Sequence, residues 1–198
     1  MASRTFVLAT RNRHKLTEFA RLLAPAGIAV EPLPDGIELP PEDGDTFAGN
    51  ALPKALAAAA ATGRAAIADD SGIEAEALAG RPGVHSARYA GPGATDEQNL
   101  AKLLAEAPAG SGLRYVCVLA FVDPVAGTER LFEGTCSGML AASPRGVGGF
   151  GYDPAFLPAE GGHHGLTMAE ITDAQKDEIS HRGNAARAFT AWLDEVSG

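Results

Sequence analysis

Two adjacent aspartates, Asp69 and Asp70, are the residues of this sequence whose types and spacing most directly suggest chemistry. A short apolar run over 65–68 precedes them and Ser71-Gly72 follows, so both carboxylates are predicted to lie at the end of a buried strand. Adjacent carboxylates repel each other and are costly to bury, so a cation must compensate for their charge. Mg²⁺ suits this task, because it usually binds one or two carboxylates together with substrate phosphates. For the motif alone, the alternative is a solvated turn in which one aspartate caps backbone amides.

A second candidate site is the basic segment between the first predicted strand, 5–9, and the helix that follows it. Free backbone N–H groups and the helix dipole make such a helix N-terminus suitable for binding phosphate. Its side chains are those of Thr10, Arg11, Asn12, Arg13, His14 and Lys15. The spacing of a P-loop is missing, and a solvated basic turn is the alternative interpretation.

The apolar periodicity and the capping residues predict the elements that must position these side chains. Ser71-Gly72 is predicted to turn the chain into a second strand, and Pro53 is predicted to kink the helix that contains it. Strands are predicted at 5–9, 28–31, 65–68, 73–78, 113–123 and 128–140. Helices are predicted after Lys15, over 46–61, from the capping boxes at 95–98 and 172–175, and around Phe189 and Trp192.

The glycine-rich stretch 146–154 contains a literal Gly-x-Gly-x-x-Gly, but it does not fit the dinucleotide-binding fingerprint. That fingerprint must open a helix, whereas here Pro154 follows almost at once. We expect instead a flexible backbone that presents Phe150 and Tyr152 as stacking faces for a base. A place in the hydrophobic core is the alternative for either aromatic residue taken alone, and His163-His164 is expected to lie in a surface loop.

Composition limits the classes of protein to consider. The chain has 198 residues, 45% of them hydrophobic, and a net charge of -9, which favours one globular domain and argues against a polynucleotide-binding surface. A small nucleotide remains a possible substrate, because a few local cations and a metal can form a positive pocket. Cys117 and Cys136 are expected to be buried thiols in a reducing compartment. With no membrane span and no signal-peptide pattern, a cytoplasmic location is expected.

Taken together, six stretches closely resemble the Ham1/RdgB-type non-canonical purine nucleoside triphosphate pyrophosphatases, the inosine triphosphate pyrophosphatase family. The matching stretches are Thr10-x-Asn12-x-x-Lys15, Phe47-x-x-Asn50-Ala51-x-x-Lys54-Ala55, Asp69-Asp70-Ser71-Gly72, Pro82-Gly83-Val84-x-Ser86-Ala87-Arg88-Tyr89, Gly149-Phe150-Gly151-Tyr152-Asp153-Pro154 and Ser180-His181-Arg182-Gly183. The resemblance implies an α/β fold, a long mixed and twisted sheet flanked by helices, in two lobes around a central nucleotide cleft. It implies a single pyrophosphatase domain over 1–198 that hydrolyses inosine, deoxyinosine and xanthosine triphosphates to monophosphate and pyrophosphate, with Mg²⁺, as a homodimer.

Carried over by position, the resemblance makes Asp70 the proton acceptor and a metal ligand. The substrate-binding residues it implies are Thr10 through Lys15, Lys54, Ser71, Phe150, Gly151, Tyr152, Asp153, Lys176, His181 and Arg182. The family often has Glu where this chain has Gly49, and many members carry a Glu pair where Pro41-Glu42 stands, so Glu42 is the candidate for the second metal ligand. The Arg182 guanidinium has only donors, which suits the 6-keto oxygen of hypoxanthine or xanthine and not the amino group of adenine. Two rival functions are a non-catalytic nucleotide sensor and a Maf-like pyrophosphatase acting on pyrimidine or modified nucleotides.

Overall fold

The fold is α/β, built on a mixed six-stranded sheet with helices flanking it, and a computed structural model describes residues 4–196. The strands follow the order β2-β1-β3-β4-β5-β6 across the sheet. They are β1 (Arg4–Leu8), β2 (Ile28–Pro32), β3 (Ala66–Ala75), β4 (Gly112–Asp123), β5 (Thr128–Leu140) and β6 (Phe156–Pro158). The α-helices are α1 (Arg13–Leu23), α2 (Phe47–Thr62), α3 (Asp96–Glu106), α4 (Asp173–Ile179) and α5 (His181–Glu195).

Parallel pairing brings the two predicted chemical segments to the same edge of the sheet. β1 pairs in parallel with both β2 and β3, and Leu8 lies opposite Ile67. The amide of Ala9 continues this ladder by donating to the Ile67 carbonyl at 2.7 Å. Because β1 ends opposite the residues that precede the aspartates, the basic segment after β1 and the aspartates of β3 lie close together.

Helices α1 to α4 each begin directly after a residue whose side chain caps the first turn. The side chains of Asn12, Thr46, Thr95 and Thr172 each accept a hydrogen bond from a backbone N–H in the first turn of α1, α2, α3 and α4, respectively. The capping boxes predicted at 95–98 and 172–175 are both present. Capping at these positions satisfies N–H groups that have no partner inside the helix, so the sequence fixes these boundaries locally.

The chain divides into two compact units, each with its own hydrophobic core. Unit 1 contains the chain up to Asp70, Cys117–Gly134 and the chain from Ala185 onward, while unit 2 contains Ser71–Val116 and Thr135–Asn184. The core of unit 1 is built around aromatic residues, including Phe6, Phe19, Phe121 and Phe189. The core of unit 2 contains Ile73, Leu103, Tyr115, Phe156 and Met168. The single domain predicted over 1–198 stays a prediction.

Two local predictions are wrong. The chain does not turn at Ser71-Gly72, since β3 runs unbroken from Ala66 to Ala75, and the second strand predicted at 73–78 is its continuation. Asp69 and Asp70 therefore lie in the middle of β3 and not at the strand end that the sequence predicted. This strand lies between β1 and β4 in the sheet, so its pairing with distant segments outweighs the local turn preference of the two residues. The sequence also gave no signal for the short edge strand β6.

Helix α2 is continuous across Pro53, and residues 76–78 form a 3₁₀ turn. Cys117 and Cys136 are buried free thiols, as predicted. Among residues 4–196, no helix combines the length and the apolar character that crossing a bilayer requires.

Candidate active site

In unit 1, the predicted chemical residues meet in what we term the aspartate cluster. It contains Lys15, Glu42, Asn50, Lys54, Asp69 and Asp70. Lys15 Nζ lies 2.9 Å from Asp69 Oδ2, and the Asp69 side chain is fully buried. The juxtaposition of a lysine and the aspartate pair, predicted from the sequence, is therefore present in the structure.

The surroundings of Asp70 raise the pKa of its carboxyl group. The residue is 5% exposed, and its Oδ2 accepts a hydrogen bond of 2.8 Å from the side-chain amide of Asn50. Burial raises the pKa of Asp70, and the nearby charge of Glu42 raises it further, against the lowering effects of Asn50, Lys15 and Lys54. A carboxylate whose pKa is moved toward neutrality suits a proton acceptor.

Lys54 connects the acidic loop that follows β2, residues 33–45, to the middle of β3. Its Nζ donates to the carbonyl oxygen of Asp69 at 2.6 Å and forms a short ion pair with Glu42 Oε1. Lys54 is buried, whereas the Glu42 side chain is 37% exposed. Glu42 is thereby held in the same cluster as Asp70, as a second metal ligand would need to be.

The donor set of the aspartate cluster fits Mg²⁺. Carboxylate oxygens are the ligands that Mg²⁺ prefers, and the buried acidic pair has excess negative charge that a cation would neutralise. Within 4–196, no group of three or more His, Cys, Asp or Glu side chains could hold a metal ion by itself. An ion bound here would therefore complete its coordination with substrate phosphates and water, the usual arrangement for Mg²⁺.

The polar groups of the basic segment 10–15 lie in three surroundings, which are the start of α1, the acidic loop that follows β2, and solvent. Asn12 Oδ1 accepts hydrogen bonds from the amides of His14 and Lys15, and Thr10 Oγ1 accepts one from the Asn12 amide at 3.1 Å. The Arg11 guanidinium donates to three carbonyls of the loop that follows β2, at Leu33, Pro34 and Ile37. Arg13 and His14 are exposed.

In unit 2, the residues predicted to bind the nucleotide meet in the Phe150 cluster. It contains Ser71, Tyr115, Phe150, Asp153, Lys176, His181 and Arg182. The guanidinium carbon of Arg182 lies 5.0 Å from the centre of the Phe150 ring, and Lys176 Nζ lies 5.2 Å from it. Arg182 Nη2 also donates to Ser71 Oγ at 2.7 Å, so the arginine is oriented by both a hydroxyl and a ring.

Asp153 accepts hydrogen bonds from three residues of this cluster. Its Oδ1 accepts from the Tyr115 hydroxyl at 3.0 Å, while its Oδ2 accepts from Lys176 Nζ at 2.7 Å and from the Phe150 amide at 2.9 Å. His181 stacks on the Tyr115 ring with a centroid distance of 4.5 Å. Burial, followed by the charge of Asp153, raises the pKa of Tyr115 well above its ordinary value, so Tyr115 acts as a neutral donor.

The two aromatic residues predicted to stack on a base occupy different surroundings. Phe150 is half-buried beside two cations, whereas Tyr152 is 6% exposed and its hydroxyl donates to the Ser86 carbonyl at 2.7 Å. Gly149 has φ +67°, and a Cβ at this position would collide with the Asp153 carboxylate. The stretch runs into a 3₁₀ turn at Asp153–Ala155 and opens no α-helix, as the sequence predicted.

Three residues of these clusters were missing from the sequence-derived site. Asp69 was predicted as half of the acidic pair but was given no role of its own, and Asn50 was noted only as part of a motif. The signal for Asn50 was its position four residues before Lys54, which places both on one face of α2. Tyr115 gave no signal, because a tyrosine in an apolar strand is indistinguishable from a core residue.

Lysines placed against a buried pair of aspartates in β3 make this an α/β protein with a candidate phosphate- and metal-binding site. More specifically, the chain belongs to the Ham1 family, whose family model matches residues 6–192. It is 50% identical over 201 residues to the dITP/XTP pyrophosphatase of Frankia alni, covering 96% of this chain and 97% of that one. It is also 50% identical over 189 residues to the dITP/XTP pyrophosphatase of Symbiobacterium thermophilum, covering 93% and 92% of the two chains.

Solved structures show the same fold. The HAM1 protein from Coxiella burnetii matches with a TM-score of 0.84 at 37% identity, covering 97% of this chain and 99% of that chain. The Staphylococcus aureus Ham1 protein matches with a TM-score of 0.82 at 37% identity over the same shares of the two chains.

Proposed function

We propose that this protein is a nucleoside triphosphate pyrophosphatase that hydrolyses inosine, deoxyinosine and xanthosine triphosphates to the monophosphate and pyrophosphate, using Mg²⁺. The observation that carries the proposal is the placement of Lys15 and Lys54 against the buried pair Asp69 and Asp70. Relatives that are 50% identical over nearly the full length are named dITP/XTP pyrophosphatases, which supports this choice of substrate.

The aspartate cluster supplies the groups that the hydrolysis requires. A water oxygen attacks the α-phosphorus, the bond from that phosphorus to the bridging oxygen breaks, and pyrophosphate leaves. Asp70 accepts the proton of the attacking water, a role that suits its raised pKa. Lys15, at the start of α1, neutralises charge on the leaving pyrophosphate. Bound Mg²⁺, held by Asp70 and Glu42, would neutralise further phosphate charge and orient the substrate.

The Phe150 cluster supplies the groups that distinguish the base. The Phe150 ring offers a stacking face, and Arg182 offers donors to a 6-keto oxygen. Adenine presents an amino group at that position, so donor would face donor and a buried polar group would lose its partner. A mismatch of this kind rejects a substrate by roughly 10⁴-fold. Ser71 holds Arg182 in place through its hydroxyl.

We propose further that the protein acts as a homodimer in the cytoplasm. The resemblance to the inosine triphosphate pyrophosphatases supports the homodimer, and two buried free thiols are typical of a reducing compartment. Light scattering coupled to size-exclusion chromatography tests the first statement, since a mass of about one chain would contradict it. Fractionation of the source cells tests the second.

One assay separates the proposed function from its rivals. The purified protein is incubated with Mg²⁺ and a panel of nucleoside triphosphates, and pyrophosphate and orthophosphate are measured separately. We expect pyrophosphate from inosine triphosphate and far less product from ATP. A nucleotide sensor would bind without releasing either product, and a Maf-like enzyme would prefer pyrimidine or modified nucleotides.

Asp70→Asn tests the assigned proton acceptor, because it keeps the shape of the side chain and removes its charge. Turnover should fall by about 10²- to 10⁴-fold, the range that general base catalysis contributes. The matched control is Asp194→Asn, which makes the same change on the exposed surface of α5. Near wild-type turnover of the Asp70→Asn variant would overturn the assignment.

A further inference from the structure

Two carboxylates hold consecutive backbone amides in the loop that carries Phe150. The amide of Phe150 donates to Asp153 Oδ2 at 2.9 Å, and the amide of Gly151 donates to Asp96 Oδ2, also at 2.9 Å. Asp153 is close to this loop in sequence, but Asp96 precedes Gly151 by 55 residues. The loop is therefore fastened at one point by its own chain segment and at the next by helix α3.

The Asp96 carboxylate is not needed to cap its own helix. The Thr95 side chain accepts a hydrogen bond from the Gln98 amide, and the Gln98 side chain accepts one from the Thr95 amide, which completes the capping box of α3. Asp96, the first residue of α3, extends its carboxylate to the Gly151 amide. The positive end of the helix dipole also stabilises a negative charge in this first turn, so a carboxylate is favoured at this position.

The loop needs such an attachment because its own residues do not fix its backbone. Gly149 and Gly151 flank Phe150, and both have positive φ, at +67° and +64°. Glycine reaches this region at little cost but also samples many other conformations, so a glycine on each side leaves the ring direction undetermined. The hydrogen bonds to Asp153 and Asp96 restrict this freedom at the two amides that set the direction of the ring.

We infer that Asp96 is a positioning residue for base binding, which holds the Phe150 ring where Arg182 and Lys176 lie against it. Asp96 does not touch the base itself in this arrangement; it acts through the backbone of Gly151. The inference rests on the proposed function, in which the Phe150 cluster binds the purine. It assigns a specificity role to a residue on α3, outside every motif that identified the site from the sequence.

The kinetic test compares Asp96→Ala with Asp96→Asn and with Glu97→Ala. Glu97 is the matched control, since it is the other acid in the first turn of α3 and is also exposed. Loss of a hydrogen bond to a charged group should raise KM for inosine triphosphate about tenfold in Asp96→Ala. The kcat value should change little, because stacking of the base contributes equally to the ground state and the transition state.

Asp96→Asn should show a smaller rise in KM, about threefold, because its side-chain oxygen still accepts from Gly151 but without a charge. Glu97→Ala should stay within about twofold of the wild type, as expected for a surface substitution. Equal KM values for the two alanine variants would overturn the inference, since both remove a charge from the same helix end.

Amide hydrogen exchange provides a readout that does not depend on turnover. In Asp96→Ala, exchange at Phe150 and Gly151 should be at least several-fold faster than in the wild type, and in Glu97→Ala it should be unchanged. Unchanged exchange in Asp96→Ala would refute the inference. If the wild-type protein did not hydrolyse inosine triphosphate, the proposed function would fail, but the exchange experiment would still decide whether Asp96 holds this loop.

Discussion

The side-chain amide of Asn50 donates a hydrogen bond of 2.8 Å to the carboxylate of Asp70. The other end of the same amide accepts from the backbone of Gly44 at 2.8 Å, and Asn50 is 2% exposed. One buried side chain from α2 thus connects the acidic loop to the proposed proton acceptor. Neither bond can be replaced by water without opening the cluster, so Asn50 is expected to tolerate little change.

Asn50→Asp should lower the free energy of unfolding by about 3 kcal/mol at pH 7, because it buries a second carboxylate against Asp70. The loss should shrink toward pH 4, where one of the two carboxylates holds a proton. Urea denaturation at both pH values measures the effect. Asn50→Ala is the comparison, since it loses the hydrogen bonds without adding charge, and its pH dependence should be weaker because only the bond that lowers the pKa of Asp70 is lost. Equal losses at the two pH values in Asn50→Asp would contradict this account.

Asp70→Asn should make the metal-free protein more stable at pH 7, by on the order of 1 kcal/mol. The pKa of Asp70 is raised, mainly by burial, so the folded protein holds this proton more tightly than the unfolded chain does. Stability therefore falls as pH rises from the ordinary aspartate value through the raised pKa, and the asparagine variant avoids this loss. Thermal unfolding in a chelator should show the difference at pH 7 and lose it near pH 3. A less stable variant at pH 7 would contradict the prediction.

Glu42→Gln should raise the Mg²⁺ concentration needed for half-maximal activity by about tenfold, because one carboxylate ligand is lost. The measurement is a Mg²⁺ titration of inosine triphosphate hydrolysis at saturating substrate. Glu38→Gln, an exposed acid of the same loop, is the matched control and should leave the titration unchanged. Overlapping titrations for the two variants would remove Glu42 from the metal site.

Arg11→Ala should make the loop after β2 more sensitive to proteolysis, because it removes donors to three loop carbonyls. Limited digestion with proteinase K, followed by mass spectrometry, should show faster cleavage within residues 33–45. Arg13→Ala removes an exposed arginine two residues away and should leave the cleavage rate unchanged. If Arg11 bound phosphate only, both variants would be cleaved at the wild-type rate.

The features that the sequence predicted correctly depend on residues that lie close together along the chain. The capping boxes at 95–98 and 172–175 and the two buried thiols depend on neighbouring residues, and they were found as expected. Ser71-Gly72 was misjudged because its turn preference is local, whereas the ladders on both sides of β3 are formed by distant segments.

The candidate site was predictable to the extent that its residues carry charge in recognisable motifs. Lys15 and Asp70 are of this kind, since a cation and an acid next to strand ends suggest a shared site. Asn50 and Tyr115 depend on contacts across 20 and 38 residues, to Asp70 and Asp153, which no pattern along the chain encodes. Asp96 was predicted as part of a cap, and its contact with Gly151 required the folded structure.

The chain passes between its two compact units several times, which affects the order in which a ribosome can complete them. Unit 2 ends at Asn184, so all of its residues have been synthesised before the last helix is finished. Unit 1 takes its final segment from Ala185 onward, including Phe189 of its aromatic core, and lacks that segment until it has been synthesised. Synthesis of the unit with the Phe150 cluster is therefore complete first, whereas the unit that contains Asp70 cannot complete its aromatic core until the segment from Ala185 onward has emerged.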